Sequence, residues 1–298
     1  MPPGVRQVNG GGSFGDVSLR CRVDALGCLQ AEGVAPDTVR IAVAGDVGHP
    51  SAALNRTIAA MAKEAEHRPF DALVLLGDNV YPDGDPAMVD AAVLEPFAPV
   101  LETGAELVAV LGNHDVESGR GDEVARRLGM PDRWYQRRIG PAHVLALDST
   151  RAGDPRQLAW LRSALGGPVS PFRIVAMHHP PYSAGWHGSS HRLRWTYGPA
   201  FRRGGVDLVL AGHEHDYQRS RPVRGTTYVV SGATTHLRRT GSARFTAASC
   251  ARHHFVDLLV SPTALRLHAI GSQGQLLDRV VLSARGRRTA RRLVRSGR

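Results

Sequence analysis

Five stretches of this 298-residue chain end in side chains that can hold metal ions. Gly45-Asp46-Val47-Gly48 follows the apolar run Val39–Ala44, and Gly77-Asp78-Asn79-Val80-Tyr81 follows Ala72–Leu76. Gly112-Asn113-His114-Asp115 follows Leu107–Leu111, and Gly212-His213-Glu214-His215 follows Val206–Ala211. His178 closes a fifth run, Ile174–Met177. Short apolar runs bounded by turn residues read as buried strands. Carboxylates, imidazoles, an amide and a phenol at strand ends are the donors that hard and borderline cations take. The glycine that opens each of the first four motifs lets the backbone turn sharply, so that donors from remote segments can come close together. The chemistry this implies is a metal centre at the carboxyl edge of a sheet, where layered folds collect their ligands.

The elements that must position these donors follow from the same pattern. Ala52–His67 has helical spacing, with Leu54, Ile58, Met61 and Ala65 on one face. Pro86–Phe97 is expected to be a helix. Trp134–Ile139 and Ala142–Asp148 read as an antiparallel pair, and Pro155–Leu165 as a helix stopped by Gly166-Gly167. Arg194–Arg203 reads as a further helix. The C-terminal part reads as strands at Thr226–Val230, His254–Leu259, Ala264–Ile270 and Leu276–Leu282, separated by turn signals such as Gly271-Ser272. Strand–helix alternation followed by strands predicts an α/β chain, a four-layer α/β/β/α sandwich of two mixed sheets flanked by helices.

The combination GDxG, GDxxY, GNHD, VxxH and GHxH resembles that of the calcineurin-like metallophosphoesterases. Within them it is most similar to the purple acid phosphatases, including the tartrate-resistant type. The resemblance spans roughly Val39 to Arg239 and implies the same metallophosphoesterase fold. Carried over position by position, it implies one ion held by Asp46, Asp78, Tyr81 and His215. The other is held by Asp78, Asn113, His178 and His213, so that Asp78 bridges. The donor chemistry agrees with this division. Two carboxylates and a tyrosinate suit a hard trivalent ion, whereas an amide and two imidazoles suit a softer divalent one. Tyrosine has a pKa of about 10 in water and stays ionised as a ligand only on a strong Lewis acid. Fe(III) is therefore expected at the Tyr81 site, with Fe(II), Zn(II) or Mn(II) at the other. Most calcineurin-like enzymes carry Asp-x-His at the first motif, where Gly48 stands here and His49 comes one residue later. The opposing arrangement makes Tyr81 an ordinary aromatic beside Pro82, with His49 swung into the site.

The activity implied is hydrolysis of phosphoric esters, an acid phosphatase-like phosphomonoesterase acting on a small phosphorylated substrate by in-line attack of metal-bound hydroxide. His114, next to Asn113, and His187, nine residues after His178, are the expected catalytic and substrate-binding residues. They would bind phosphate or protonate the leaving group. Asp115 is expected to orient the other ring nitrogen of His114. His179 alternates away from the site and supports it from behind. Trp186, His191, Arg192, Arg194 and Trp195 line either the substrate's organic part or a solvent face. Arg219 and Ser220 are expected to support the last loop, and Ser231-Gly232-Ala233 resembles a strand-end turn near the site. Asp148 is assigned no chemistry. The same ions would serve a phosphodiesterase acting on cyclic nucleotides, nucleic acid or lipid headgroups. A non-catalytic scaffold of metallophosphoesterase fold is the third reading, and it goes with lost ligands; every matched ligand is present here.

Net charge is +10, from 37 basic and 27 acidic residues, and seven of the arginines fall between Arg285 and Arg298. Such a tail can bind nucleic acid or an anionic membrane, or simply be a solvated end. Lys63 is the only lysine, a sign of compositional bias. Among Cys21, Cys28 and Cys250 there is no CxxC pair, which excludes a zinc ribbon. A Cys21–Cys28 disulfide and free thiols both remain open. No stretch of about 18 apolar residues exists, so no transmembrane helix is expected. The first residues lack the apolar core of a secretory signal. The default location is cytoplasmic, with secretion open if the true start lies elsewhere. The expected organisation is a weakly ordered lead at 1–36, a catalytic domain at 37–283 and an arginine-rich tail at 284–298.

Overall fold

In the computed structural model residues 37–284 are described; the lead with Cys21 and Cys28, and the arginines from Arg285 onward, lie outside them. In chain order the strands of the first half are β1 (Val39–Ala44), β2 (Ala72–Leu75), β3 (Glu106–Ala109), β4 (Tyr135–Ile139), β5 (Ala142–Ala146) and β6 (Phe172–Ala176). Those of the second are β7 (Leu208–Ala211), β8 (Tyr217–Ser220), β9 (Thr227–Ser231), β10 (Thr246–Cys250), β11 (His254–Val260), β12 (Ala264–Gly271) and β13 (Leu276–Ser283). They form one sheet of order β13-β12-β11-β1-β2-β3 and another of order β10-β8-β9-β7-β6-β5-β4. Both are mixed: β1, β2 and β3 run parallel beside antiparallel β11, and β5, β6, β7 and β9 run parallel between antiparallel edges.

Alternation along the central strands explains why the two sheets stack. Val144, Ala146, Ile174, Ala176, Leu208, Leu210 and Val229 join the large core shared with the first sheet. Their neighbours Leu145, Leu147, Val175, Met177, Val209, Ala211 and Tyr228 point the other way. There they meet Leu161 and Leu165 of α5 (Pro155–Gly166) and Leu193, Tyr197 and Phe201 of α6 (His191–Gly204). Strands buried on both faces read as continuous apolar runs, as these do. On the far side α1 (Ala52–His67) packs Leu54, Ile58 and Met61 into the large core. Its first turn is capped by Ser51, whose Oγ accepts from the Leu54 N–H at 3.1 Å, a contact of about 1 kcal/mol. The layers are thus α/β/β/α, as the sequence predicts.

Residues 86–101 differ from the expected single helix. They form a 3-10 turn at Pro86–Met88, a π turn at Asp90–Leu94 and then α2, Glu95–Leu101. Pro96 and Pro99 lack the N–H donors that a continuous α-helix needs and crowd the carbonyls one turn back. Strands β8 and β10 and the short helices α3 (Asn113–Glu117) and α4 (Gly121–Arg127) have no counterpart in the sequence expectations. Among the described residues no helix is long and apolar enough to cross a membrane.

One buried histidine ties the sheets together. His254 opens β11, donates from Nδ1 to the Arg252 carbonyl at 2.8 Å, and accepts at Nε2 from the Ser231 hydroxyl at 3.0 Å. Burial pushes its pKa down to about 4; the Arg252 carbonyl opposes this and His253 adds to it. A folded-state pKa below the unfolded value of about 6.5 means that the neutral ring's stabilisation is whole above pH ~6.5 and is lost as pH falls toward 4. Urea unfolding is expected to show up to about 3 kcal/mol lost across that window. His254→Asn should flatten the dependence, and an unchanged slope would place the acid sensitivity elsewhere.

Candidate metal centre

Five parallel strands, β1, β2 and β3 of one sheet and β6 and β7 of the other, bring their carboxyl ends to a common edge. Asp46, Asp78 and His213 follow three of these strands with φ of 58°, 51° and 69°. Left-handed backbone costs a non-glycine residue roughly 1–2 kcal/mol, and it clusters where surrounding structure holds it. Here loop-to-loop hydrogen bonds do so: Asp46 N–H to Gly77 O at 3.0 Å, Gly48 N–H to Asp78 O at 3.0 Å and Tyr81 N–H to Gly48 O at 3.2 Å. The approach is so close that a Cβ on Gly112 would lie 2.1 Å from Asp78 Oδ1. His114 N–H donates to that same oxygen at 3.0 Å.

All seven expected donors come together, in two groups that share Asp78. In the first, the Tyr81 hydroxyl lies 3.0 Å from Asp78 Oδ2, 3.4 Å from Asp46 Oδ1 and 3.4 Å from His215 Nε2. In the second, His178 Nε2 lies 3.1 Å from Asn113 Oδ1, 3.2 Å from His213 Nδ1 and 3.4 Å from Asp78 Oδ2. Asp46, Asp78 and His178 are almost wholly buried. Among the described residues neither carboxylate has an arginine or lysine ion partner; the side chains that pair with them as ions are the imidazoles of His178 and His215.

This donor set fits cations. His178 Nδ1 donates to the Leu76 carbonyl at 2.8 Å, which turns the Nε2 lone pair toward Asn113 Oδ1 and His213 Nδ1. Acceptors that face one another beside a carboxylate need a positive centre between them. Burial disfavours a charged His178, but the Asp78 and Asp46 charges outweigh it and raise the ring to about 9, so a proton stands in for the cation. Burial and the charges of His178, His179 and His187 push His213 down to about 2, which keeps its lone pair free. Burial also disfavours ionised Asp78, yet His178 and His114 hold its carboxyl below the usual range. Burial raises Asp46. Burial, Asp46 and Asp78 push the Tyr81 phenol far up, so a phenolate there requires strong cationic compensation.

The first motif excludes a histidine ligand at its fourth position. A Cβ on Gly48 would lie 2.4 Å from the Asn79 carbonyl carbon. His49 is exposed, and its ring lies 4.9 Å from that of His236 rather than among the first group's donors.

The surrounding residues modify several expectations. His114 sits beside Tyr81, with ring centroids 4.5 Å apart, and its Nδ1 donates to the Pro82 carbonyl. Asp115 does not orient it. The buried Asp115 carboxylate accepts from the N–H groups of Asn79, Val80 and Gly112 and from Asn79 Nδ2, at 2.8–3.0 Å, and so stitches two ligand loops together. Burial and the Asp78 charge push Asp115 up to about 7, against the Gly112 and Val80 donors. His179 does not turn away: one ring nitrogen lies within 4.8 Å of the donor atoms of His178 and His213, while Nδ1 meets Ser149 Oγ at 2.9 Å. Strict alternation ends with β6 at Ala176, two residues before the ligand.

His187 stacks 4.3 Å from the His213 ring. Its loop is held by Glu214, a residue the sequence reading passed over as the variable position of GHxH. Glu214 Oε1 accepts from His187 N–H and Gly188 N–H at 2.8 Å and from Ser183 Oγ at 3.2 Å, and Oε2 stands 3.5 Å from His187 Nδ1. A charged side chain between two ligands was the available signal. His236 and Arg238 were also passed over; nothing in their spacing marks them.

Trp186 and Trp195 are 76% and 80% exposed. Arg194 stacks 3.9 Å over Tyr182 and donates to the Pro181 carbonyl at 2.6 Å. Arg219 makes a bidentate pair with Asp278 of β13, at 2.5 and 3.0 Å, and so bridges the sheets; Ser220 Oγ accepts from Tyr228 N–H at 2.9 Å. Asp148 caps a 3-10 turn and pairs with Arg133 at 3.1 Å.

Comparison with known proteins gives one family match: a model for calcineurin-like phosphoesterases covers residues 39–217. Rabbit (Oryctolagus cuniculus) tartrate-resistant acid phosphatase type 5 is 28% identical over 243 residues, 68% of this chain and 74% of that protein. A cAMP/cGMP dual specificity phosphodiesterase of Mycobacterium tuberculosis is 31% identical over 180 residues, 56% of this chain and 55% of that protein. The structure of a purple acid phosphatase from yellow lupin (Lupinus luteus) seeds superposes with a TM-score of 0.73 at 18% identity, covering 83% of this chain and 54% of that one.

Proposed function

The chain belongs to the calcineurin-like phosphoesterase family, and on that footing we propose that it hydrolyses phosphate monoesters with two metal ions, as an acid phosphatase-like enzyme. The observation that carries this reading is the Tyr81 hydroxyl among Asp46, Asp78 and His215, at a site where Gly48 leaves no room for an imidazole. In this reading Asp46, Asp78, Tyr81 and His215 hold Fe(III). Asp78, Asn113, His178 and His213 hold Fe(II), Zn(II) or Mn(II). When bound, the ions polarise a phosphoryl oxygen and lower the pKa of water toward ~7.

The chain's own residues do the rest. Leu76 O fixes the His178 ring so that Nε2 faces inward, and Asp115 locks the Asp78 and Asn113 loops at a fixed separation. Pro82 O takes the Nδ1 hydrogen of His114 and holds the ring; with a second proton on Nε2 the imidazolium donates that hydrogen to a phosphoryl oxygen. His187, on the loop that Glu214 anchors, binds the phosphate or gives a proton to the departing alkoxide oxygen. Water replaces the alcohol at phosphorus in one in-line displacement, with inversion.

Three measurements on one preparation test this. We expect two metal ions per chain and a visible absorption band that Tyr81→Phe abolishes. p-Nitrophenyl phosphate should be cleaved faster than its bis-ester. A colourless, fully active protein with two zinc ions would remove iron and tyrosinate from the account. Faster cleavage of the bis-ester would favour the phosphodiesterase reading, which the mycobacterial relative also supports.

A further inference from the structure

Along α6, Arg194, Gly198 and Arg202 recur at every fourth residue and so share one face of the helix. They line a cleft together with Arg224, from the turn between β8 and β9, and the side chains of Tyr182 and Tyr228. Gly198 leaves the middle of the helix face open: nothing lies within 4 Å of where its Cβ would stand. The turn that carries Arg224 precedes β9, which runs parallel to β7. Arg224 therefore sits at the edge of the second sheet opposite to the one where the metal donors gather. The proposed hydrolysis uses none of these residues.

The charge in this cleft is unbalanced. Its lining holds no carboxylate, and neither α6 nor the turn at 221–226 contains Asp or Glu. On other faces Arg120, Arg127, Arg137 and Arg219 each meet a carboxylate at 2.5–2.7 Å. Among the described residues no ion pair forms at Arg194, Arg202 or Arg224. Arg194 is nevertheless held in place: its guanidinium lies 3.9 Å over the Tyr182 ring, and its Nε donates to the Pro181 carbonyl at 2.6 Å. The Tyr182 ring in turn packs 4.5 Å from that of Tyr228. Burial lowers the Arg194 pKa, opposed by the phenols of Tyr182 and Tyr228 and by no acid. A partly buried cation without a counter-ion is unfavourable until an anion joins it. Guanidinium forks take phosphate oxygens through paired, charge-assisted hydrogen bonds. A free or terminal phosphate brings about two negative charges and at least three acceptor oxygens, where a carboxylate brings one charge and two oxygens. We propose that the cleft of Arg194, Arg202 and Arg224 binds a phosphate group at a site separate from the metal centre. The same contacts serve inorganic phosphate and the phosphate that ends a lipid headgroup, and the test separates these sources. The site stands whether or not the hydrolysis proposed above is correct.

The test compares two double variants of the full, metal-loaded chain. Arg202→Gln/Arg224→Gln strips the cleft, and Arg56→Gln/Arg126→Gln removes the same charge from exposed positions elsewhere. Phosphate bound at the metal centre is common to both and cancels in the comparison. By calorimetry with inorganic phosphate, the wild type and the control are expected to bind one phosphate per chain that the cleft variant binds at least about tenfold more weakly, the loss of a charge-assisted hydrogen bond or two. The second probe is vesicles of phosphatidylcholine with and without phosphatidic acid, read by co-sedimentation. A difference between cleft variant and control on inorganic phosphate assigns the site to the free anion. A difference confined to the phosphatidic acid vesicles assigns it to the headgroup. Equal behaviour of cleft variant and control on both probes would overturn the site, because any phosphate binding would then follow net charge alone. Melting temperatures within about 3 °C of wild type confirm that the variants fold. Turnover of p-nitrophenyl phosphate by the wild type reports separately on the metal centre.

Discussion

Asp78→Asn should lower kcat/KM for p-nitrophenyl phosphate by on the order of 10³-fold or more, about 4 kcal/mol of transition-state stabilisation, and leave fewer than two metal ions per chain. Asp78 Oδ2 is the atom common to both donor groups, 3.0 Å from the Tyr81 hydroxyl and 3.4 Å from His178 Nε2. Asparagine keeps the shape that Gly112 accommodates but takes away the negative charge the two cations would share. Metal content by mass spectrometry and steady-state kinetics read the two effects together. Full activity with two ions retained would mean that Asp78 bridges nothing.

His187→Ala should lose on the order of 10²-fold or more with an alkyl phosphate, the range expected for a removed general acid, and distinctly less with p-nitrophenyl phosphate. Nitrophenolate is a stable leaving group and needs little help from a proton; an alkoxide needs much. Kinetics on the two esters, run side by side, separate the two roles of this histidine. Equal losses on both esters would leave it only phosphate binding. The effect depends on where Glu214 puts the ring, since its Oε1 holds the backbone N–H groups of both His187 and Gly188.

The central strands, α1 and the antiparallel pair β4–β5 were legible because long apolar runs and one helical stripe have a single economical explanation. The seven donors were legible for a different reason: each sits at a glycine turn or at the end of such a run. What escaped the sequence is physically different in kind. β8 (Tyr217–Ser220) carries Gln218 and Arg219, whose burial is compensated by Asp216 and Asp278 rather than announced by apolar character. β10 (Thr246–Cys250) is half-buried with no apolar alternation. Helices α3 and α4 span five and seven residues, too short to show a period. Asp115 was placed beside the right residue but given the wrong partner, because spacing reveals adjacency along the chain and not which of two loops a carboxylate will hold. Glu214 and Arg238 act across 27 and 51 residues of sequence separation, which no local pattern encodes.

The donors hang from both layers of the sandwich: Asp46, Asp78, Tyr81 and Asn113 follow strands of one sheet, and His178, His213 and His215 follow strands of the other. Two packed sheets can shear past each other with little change in core area, but here any such slip pulls apart the halves of each donor group. Ions bound by these donors would therefore act as a rivet through the laminate, since a partner that binds only the assembled state adds its affinity to the resistance against sliding. Wear on the outer helices would leave this joint untouched, whereas a change that re-registers either sheet would undo it from a distance.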